Sequence, residues 1–320
     1  MVPELEKSKS SKKSRKSRKK MLLIFNPRSG MQNFPTLFFK VVDKFTEAGF
    51  LVTAYPTQAP GEVKQLVANY AGGYDYLVCS GGDGTIGEAI GALLNLEKRP
   101  AFGLIPAGTV NDFAQSLGIP NDILTAVDII INSAPNALDI GRFGDRHFSY
   151  VAAFGMFTDV SYATPQNTKN LLGKLAYFLE GVKRVGSIKS SRCEFTLDGE
   201  VVSGNFVLGI VGNGRSIASI RLPAEMGVQM DDGLFEVILI QLPKTLKDHQ
   251  EIISSLFTQE LFTQEIRTHL LTIRKAKKIK FTSDEPIAWT LDGDFGGEYT
   301  EVNIENIRHA LEVITPGSGV

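Results

Sequence analysis

The stretch YDYLVCSGGDGTIGEAIGALL, residues 74–94, decides the fold. The apolar run Tyr76–Cys79 reads as a buried strand. The small-residue turn Ser80-Gly81-Gly82-Asp83-Gly84-Thr85 follows, and then Ile86, Ala89, Ile90, Leu93 and Leu94 recur at helical spacing. A strand, a glycine turn and a helix N-terminus together cradle a phosphate, because backbone N–H groups and the helix dipole both favour an anion there. Asp83 stands at the centre of this turn. A carboxylate beside a polyanion requires a cation between them, so the turn predicts a hard divalent ion, Mg2+, shared by carboxylate and phosphate oxygens.

Working outward toward the N-terminus, MLLIFNPRSG (21–30) is a strand running into an Asn-Pro-x-Ser-Gly turn, and residues 34–48 form a helix ending at Gly49. FLVTAYPT is a second strand. Residues 61–71 form a helix with Val63, Leu66, Val67 and Tyr70 on one face. Toward the C-terminus, AFGLIPAGTVNDFAQSLGIP (101–120) gives a fourth strand, another glycine turn and a helix closed by Gly118 and Pro120. This alternation predicts a parallel sheet with helices on its faces. Ligands on such sheets bind at the carboxyl ends of the strands, where three turns fall: Asn26–Gly30, Ser80–Thr85 and Gly108–Asp112.

After about residue 140 the pattern changes. ALDIGRFGDRHFSYVAAFG reads as paired strands turning at Gly144-Asp145, and CEFTLDGEVVSGNFVLGIVGNG as a hairpin turning at Asp198-Gly199. LFEVILIQL, KKIKFTS and PIAWTLDG are further strands. One helix, with the apolar stripe Leu171, Leu172, Leu175, Ala176, Phe178, Leu179 and Val182, interrupts them. EVNIENIRHALEVITP closes the chain as a strand followed by a helix. The expected fold class is α/β plus β.

Composition fits this reading. The chain has 320 residues, 43% hydrophobic and 22% charged, with 31 glycines. No apolar run reaches the ~18 residues needed to span a bilayer, and no signal peptide is visible, which points to the cytoplasm. The two cysteines, Cys79 and Cys193, are not expected to pair. The four histidines show no zinc-ligand spacing. The net charge of −1 conceals an asymmetry: residues 1–20 hold nine Lys/Arg and two Glu, leaving 25 basic and 33 acidic side chains in the rest. This basic segment reads as a disordered tail, suited to peripheral docking on an anionic membrane rather than to a specific nucleic acid.

No Walker A run G-x-x-x-x-G-K-[ST] is present, and no dinucleotide fingerprint follows a strand. The specific signal is the pair Gly81-Gly82-Asp83-Gly84-Thr85 and Gly108-Thr109-Val110-Asn111-Asp112, set at matching strand ends. The pair points to a metal-bridged polyphosphate and to phosphoryl transfer by positioning and charge neutralisation.

CSGGDGTIGEAI, GLIPAGTVNDFAQSLGIP and LDIGRF resemble the soluble bacterial diacylglycerol kinase family of lipid kinases, of the YegS–BmrU type, as do SYATPQNTKNLLGKLAYFLEG, MDDGLFEVILI and WTLDGDFGG. The resemblance spans about residues 21–316. It implies a phosphofructokinase-like nucleotide-binding α/β domain, residues 21–138 with about 305–320 returning to it. A β-sandwich lipid-substrate domain, residues 139–304, would complete the fold, with ATP in the cleft between them. It further implies ATP and Mg2+ as cofactors and a neutral membrane lipid, diacylglycerol foremost, as acceptor. Family members often associate as homodimers through the β domain.

Carried over on the matching motifs, Asn26, Ser29 and Gly30 line the nucleotide site. Gly81, Gly82, Asp83, Gly84 and Thr85 cradle the phosphates. Gly108, Thr109, Asn111 and Asp112 sit at the cleft. In MDDG, the Asp232 carboxylate with the carbonyls of Gln229 and Leu234 matches the family's structural Mg2+ site, and Asp139 joins that site to the cleft by hydrogen bonds. The family's DGE run carries the proposed general base. Here it reads Asp292-Gly293-Asp294, so Asp294 takes that role with a side chain one methylene shorter. The LDGE at 197–200 lies at a hairpin turn and lacks the flanking aromatic strand. Basic residues of the family are replaced by Met31 and Gln115. NAD kinase, which shares a GGDGT loop, is one alternative reading. A catalytically weak nucleotide- or lipid-binding regulatory protein is another.

Overall fold

The structure, a computed structural model, describes residues 18–28, 34–155, 190–214, 216–217, 220–221, 228–245, 247–248, 250–252 and 266–317. The apolar stripe at 171–182 and most of the basic tail lie outside them.

The first half alternates as expected. It runs β1 (Lys19–Phe25), α1 (Phe34–Glu47), β2 (Phe50–Pro56), α2 (Glu62–Tyr70), β3 (Tyr76–Gly81), α3 (Asp83–Leu93), β4 (Ala101–Pro106), α4 (Asp112–Ser116) and α5 (Ile123–Asn132). Strands β2, β1, β3 and β4 lie side by side in that order, all parallel. Their apolar runs are continuous because helices cover the sheet: Met21 to Phe25 and Leu77 to Cys79 are buried. The strand begins earlier than read from sequence: Lys19 and Lys20 already pair with Phe50 and Leu51 of β2, so the basic tail ends before them. On α2, Val63, Leu66 and Val67 face the core, but Tyr70 is exposed. Helix α5 escaped the sequence reading. Its signal is Asp122, whose side chain caps Thr125 N–H, followed by buried Ile123, Ala126, Val127 and Ile130.

The second half is dominated by antiparallel strands: β5 (Pro135–Phe143), β6 (Arg146–Phe148), β7 (Val151–Gly155), β8 (Ser191–Leu197) and β9 (Glu200–Gly212), then the short pair β10 (Ser216–Ile217) and β11 (Ile220–Arg221). These are followed by β12 (Phe235–Gln241), β13 (Ile266–Arg267), β14 (Leu271–Ala276), β15 (Lys278–Leu291) and β16 (Asp294–Ile314). The hairpin turns at Gly144-Asp145 and Asp198-Gly199 are where the sequence placed them. Residues 278–291, read as two strands, form one. Trp289 is fully buried there, with its ring 5.0 Å from Phe143, 4.9 Å from Phe154 and 5.1 Å from Phe281.

The expected C-terminal helix is absent. IRHALEVI continues β16, which is antiparallel to β15 and β5 and then pairs in parallel with β4 through Val313 and Phe102. A register shift between Ile307 and Leu311 and a positive φ of 52° at His309 let the strand bend from one partner set to the next. The local helix propensity of this segment is overridden by pairing on both edges. Through β16 the parallel and antiparallel strands join in one hydrogen-bonded network. Among the described residues, no helix is long and apolar enough to cross a membrane.

Candidate active site

Three loops leave the carboxyl ends of β1, β3 and β4 side by side. Asn26 N–H donates to the Ser80 carbonyl at 3.1 Å, and Ala107 N–H donates to the Gly81 carbonyl at 2.9 Å, extending the sheet register into the loops. Asn26 Oδ1 in turn accepts Arg28 N–H at 2.9 Å. Ser29, Gly30 and Met31 lie outside the described residues.

The two glycine loops touch backbone to backbone. A Cβ on Gly108 would lie 2.5 Å from Gly82 Cα and 2.7 Å from Asn111 Oδ1; a Cβ on Gly81 would lie 2.5 Å from Thr85 Cβ. Neither position tolerates a side chain without displacing its neighbour. Asn111, buried and in the left-handed region at φ 57°, locks its own loop. Its Oδ1 accepts Gly108 N–H at 2.8 Å, and its Nδ2 donates to the Gly108 carbonyl at 2.9 Å. Gln115 Nε2 donates to the Val110 carbonyl at 2.6 Å, so this residue, at a family arginine position, closes the loop. Thr109 and Val110 stay exposed.

The Asp83 carboxylate has a use the sequence did not reveal. Its Oδ2 accepts Asp112 N–H and its Oδ1 accepts Phe113 N–H, each at 3.2 Å. It therefore caps α4, the neighbouring helix, and the first amides of α4 are engaged by protein rather than offered to a phosphate. The anion-favouring N-terminus that remains is that of α3, behind Gly82 and Gly84. Asp112 itself is buried.

Asp294 reaches this place from the other half of the chain. A Cβ on Gly84 would lie 3.6 Å from Asp294 Oδ2, so the carboxylate hangs over the first exposed turn of α3. Glu88, one turn further along α3, is its neighbour: burial first, and then the Asp294 charge, raise the Glu88 pKa, while the Gly61 amide and Lys64 oppose the shift.

The turn that presents Asp294 is anchored by Asp292, a residue with no separate role in the motif reading. Asp292 and Gly293, at φ 52° and 88°, make the two-residue hairpin between β15 and β16. The Asp292 carboxylate accepts Ser149 N–H at 2.6 Å, Tyr150 N–H at 3.0 Å and Val151 N–H at 3.1 Å. Burial raises its pKa to about 6, against the pull of these amides. The other hairpin aspartate, Asp198, accepts two amides in the same manner, and the following Glu200 is ion-paired to Arg274 at 2.8 Å. Asp-Gly in sequence marks both turns and does not tell them apart.

Asp139, fully buried, accepts Gly233 N–H at 2.6 Å and His309 N–H at 2.8 Å, and its amide donates to the Met230 carbonyl at 2.7 Å. Asn213 Nδ2 then bridges the Asp139 carbonyl at 2.7 Å and the Ser149 carbonyl at 3.4 Å. Ser149 N–H meets Asp292 as above. A buried polar chain thus runs from the 230–233 turn to the hairpin carrying Asp294.

The expected structural metal site is engaged differently. Asp232 Oδ1 accepts Leu234 N–H at 2.9 Å, and Asp232 Oδ2 accepts Lys275 Nζ at 2.8 Å. The Leu234 carbonyl accepts Asn306 Nδ2 at 3.2 Å, and Gln229 is exposed. An ammonium already occupies the carboxylate edge that would take the ion, so these residues do not fit a divalent metal there. No cluster of three His, Cys, Asp or Glu with metal-holding geometry occurs among the described residues.

Glycine loops at parallel strand ends thus lie beneath a carboxylate delivered from an antiparallel strand. The diacylglycerol kinase catalytic domain profile matches residues 20–143. The diacylglycerol kinase of Staphylococcus saprophyticus is 33% identical over 299 residues, covering 93% of this chain and 96% of that one. That of Bacillus subtilis is 31% identical over 300 residues, covering 93% and 97%. A diacylglycerol kinase structure from Bacillus anthracis superposes with TM-score 0.74 at 25% identity, covering 95% of this chain and 100% of that one. Another solved chain from that organism gives 0.79 at 27% identity, with 96% and 100% covered. The chain belongs to the diacylglycerol kinase family, and it is a kinase acting on a lipid alcohol.

Proposed function

We propose that the protein transfers the γ-phosphate of ATP, taken up with Mg2+, to the free hydroxyl of diacylglycerol, giving phosphatidic acid. The observation that carries this reading is the Asp294 carboxylate over the first turn of α3, where the two glycine loops meet. Nucleotide phosphates would lie against Gly81–Thr85 and Gly108–Asn111. Mg2+ would arrive with the nucleotide and neutralise phosphate charge. Asp294 would accept the proton of the acceptor hydroxyl as its oxygen bonds to the γ-phosphorus and the bond to the β–γ bridging oxygen breaks, releasing ADP. In this reading residues 21–138, with the end of β16, form the nucleotide-binding unit. Residues 139–304 form the acceptor unit.

Exposed apolar side chains beside the charged groups support a lipid acceptor. Phe295, next to Asp294, is 66% exposed, and Val110, within the second glycine loop, is 40% exposed. The test is transfer of labelled γ-phosphate from Mg·ATP in mixed micelles to diacylglycerol, monoacylglycerol, phosphatidylglycerol, ceramide and undecaprenol, with NAD as control. Labelled phosphatidic acid supports the proposal. Label on another lipid keeps the kinase and replaces the acceptor, and ATP binding with no transfer overturns the catalytic reading.

A further inference from the structure

The turn at 229–234 is held by side chains from three other strands. Asp139 on β5 takes Gly233 N–H at 2.6 Å, and Asn306 on β16 donates to the Leu234 carbonyl at 3.2 Å. Arg308, also on β16, donates to the Asp231 carbonyl at 3.3 Å. The third strand is β14. There Lys275 stands directly opposite Glu236 in the antiparallel register with β12, so the two side chains share a face of the sheet.

From that position Lys275 Nζ lies 2.8 Å from Asp232 Oδ2 and 3.4 Å from Glu236 Oε1. Glu236 is buried, and neither of its carboxylate oxygens is hydrogen-bonded. A buried carboxylate without hydrogen bonds needs a compensating charge close by. The Lys275 ammonium is that charge, and it serves Asp232 at the same time. A divalent ion on Asp232 would approach this ammonium across a single carboxylate group, where like charges repel at short range.

We propose that Lys275 is the resident cation of the 229–236 segment, standing where the family resemblance places a structural divalent metal, so that this part of the fold is built without metal. The consequence is separate from the nucleotide's own requirement for Mg2+, and its test reads stability rather than turnover.

The full chain is passed through a chelating column, its bound metal is counted, and its thermal midpoint is measured in EDTA and in millimolar Mg2+ without nucleotide. The expected result is less than about 0.1 metal ion per chain and midpoints agreeing within about 1 °C. Lys275→Arg keeps a cation and should stay within about 2 °C of the unmodified protein in EDTA. Lys275→Met leaves two uncompensated carboxylates and should lose roughly 5 to 10 °C. A stoichiometric metal ion in the unmodified protein, or a midpoint that falls in EDTA and returns with Mg2+, overturns the proposal. So does a Lys275→Met protein as stable in EDTA as its parent. Should Lys275→Met fail to fold, the metal count and the chelator comparison on the unmodified protein decide alone.

Discussion

Asp83, at the head of α3, hydrogen-bonds through its carboxylate to the backbone amide of Phe113, in the first turn of α4, at 3.2 Å. A residue that looks in sequence like a phosphate-side acid is thus also the clasp between the two glycine loops. Asp83→Ala should abolish turnover and remove a cap from two amides, lowering stability by about 1 to 2 kcal/mol. Asp83→Asn keeps one acceptor oxygen and should recover about half of that stability without recovering activity. Thermal unfolding beside the transfer assay separates the two roles, and wild-type activity in either variant would remove Asp83 from the site.

Gly108→Ala places a methyl group 2.5 Å from Gly82 Cα, a contact only backbone movement can relieve. We expect roughly 1 to 3 kcal/mol of destabilisation and loss of nucleotide binding by calorimetry. Gly87→Ala is the control: it lies inside α3 with no atom within 4 Å of the new methyl, so it should stabilise by up to about 1 kcal/mol. Equal effects from the two substitutions would show that the loop contact is unimportant.

Asp294→Glu restores the methylene of the family's usual residue and should preserve or raise kcat. Asp294→Asn keeps the shape but cannot accept a proton and should lose at least about 100-fold. A fully active Asn variant would direct attention to another base.

Asp292 makes stability depend on pH. Although the residue keeps part of its surface in solvent, its carboxylate is buried, and its pKa rises from 3.8 to about 6 on folding. The folded protein therefore holds this proton where the unfolded chain has lost it. The contribution is complete below about pH 4 and is lost as pH rises through about 6, amounting to about 3 kcal/mol in all, of which roughly 2 kcal/mol falls between pH 4.5 and pH 6.5. Denaturant titrations at pH 4.5 and pH 6.5 should show this difference, and Asp292→Asn should lack it. An unchanged pH slope in Asp292→Asn would mean another group is responsible.

Residues 1–17 carry six Lys/Arg ahead of β1. Their removal spares Lys19 and Lys20, which pair with β2. Sedimentation with anionic vesicles should weaken on deletion and, for the full chain, on raising salt from 0.05 to about 0.5 M. Salt-insensitive binding that survives the deletion would argue for apolar anchoring elsewhere.

The parallel half was legible because its signals are local. Apolar runs, glycine turns and helical spacing each lie within some twenty residues, as in 74–94. What stayed hidden depends on distant partners. IRHALEVI has helical spacing, yet β5 and β4 claim it as strand. Asp292 and Asp198 share an Asp-Gly turn, and only the amides of 149–151 mark one as the anchor of the site. Lys275 reads as one of many lysines until register sets it opposite Glu236. The family resemblance supplied Asp294, but not the route by which a residue 211 positions after Asp83 comes to lie over the same helix turn.

That route is β16, whose first residue is Asp294 and whose end pairs with β4. The molecule is consequently not separable at the boundary its sequence suggests. A fragment ending at residue 138 would contain both glycine loops but would leave β4 as an open sheet edge, prone to self-association. Complementing it with residues 139–320 supplied in trans should restore solubility and the site together. The same reasoning makes the C-terminus a poor place to trim: a stop codon before Val313 would remove the residue that pairs the strand carrying Asp294 with β4, in the sheet that holds the loops.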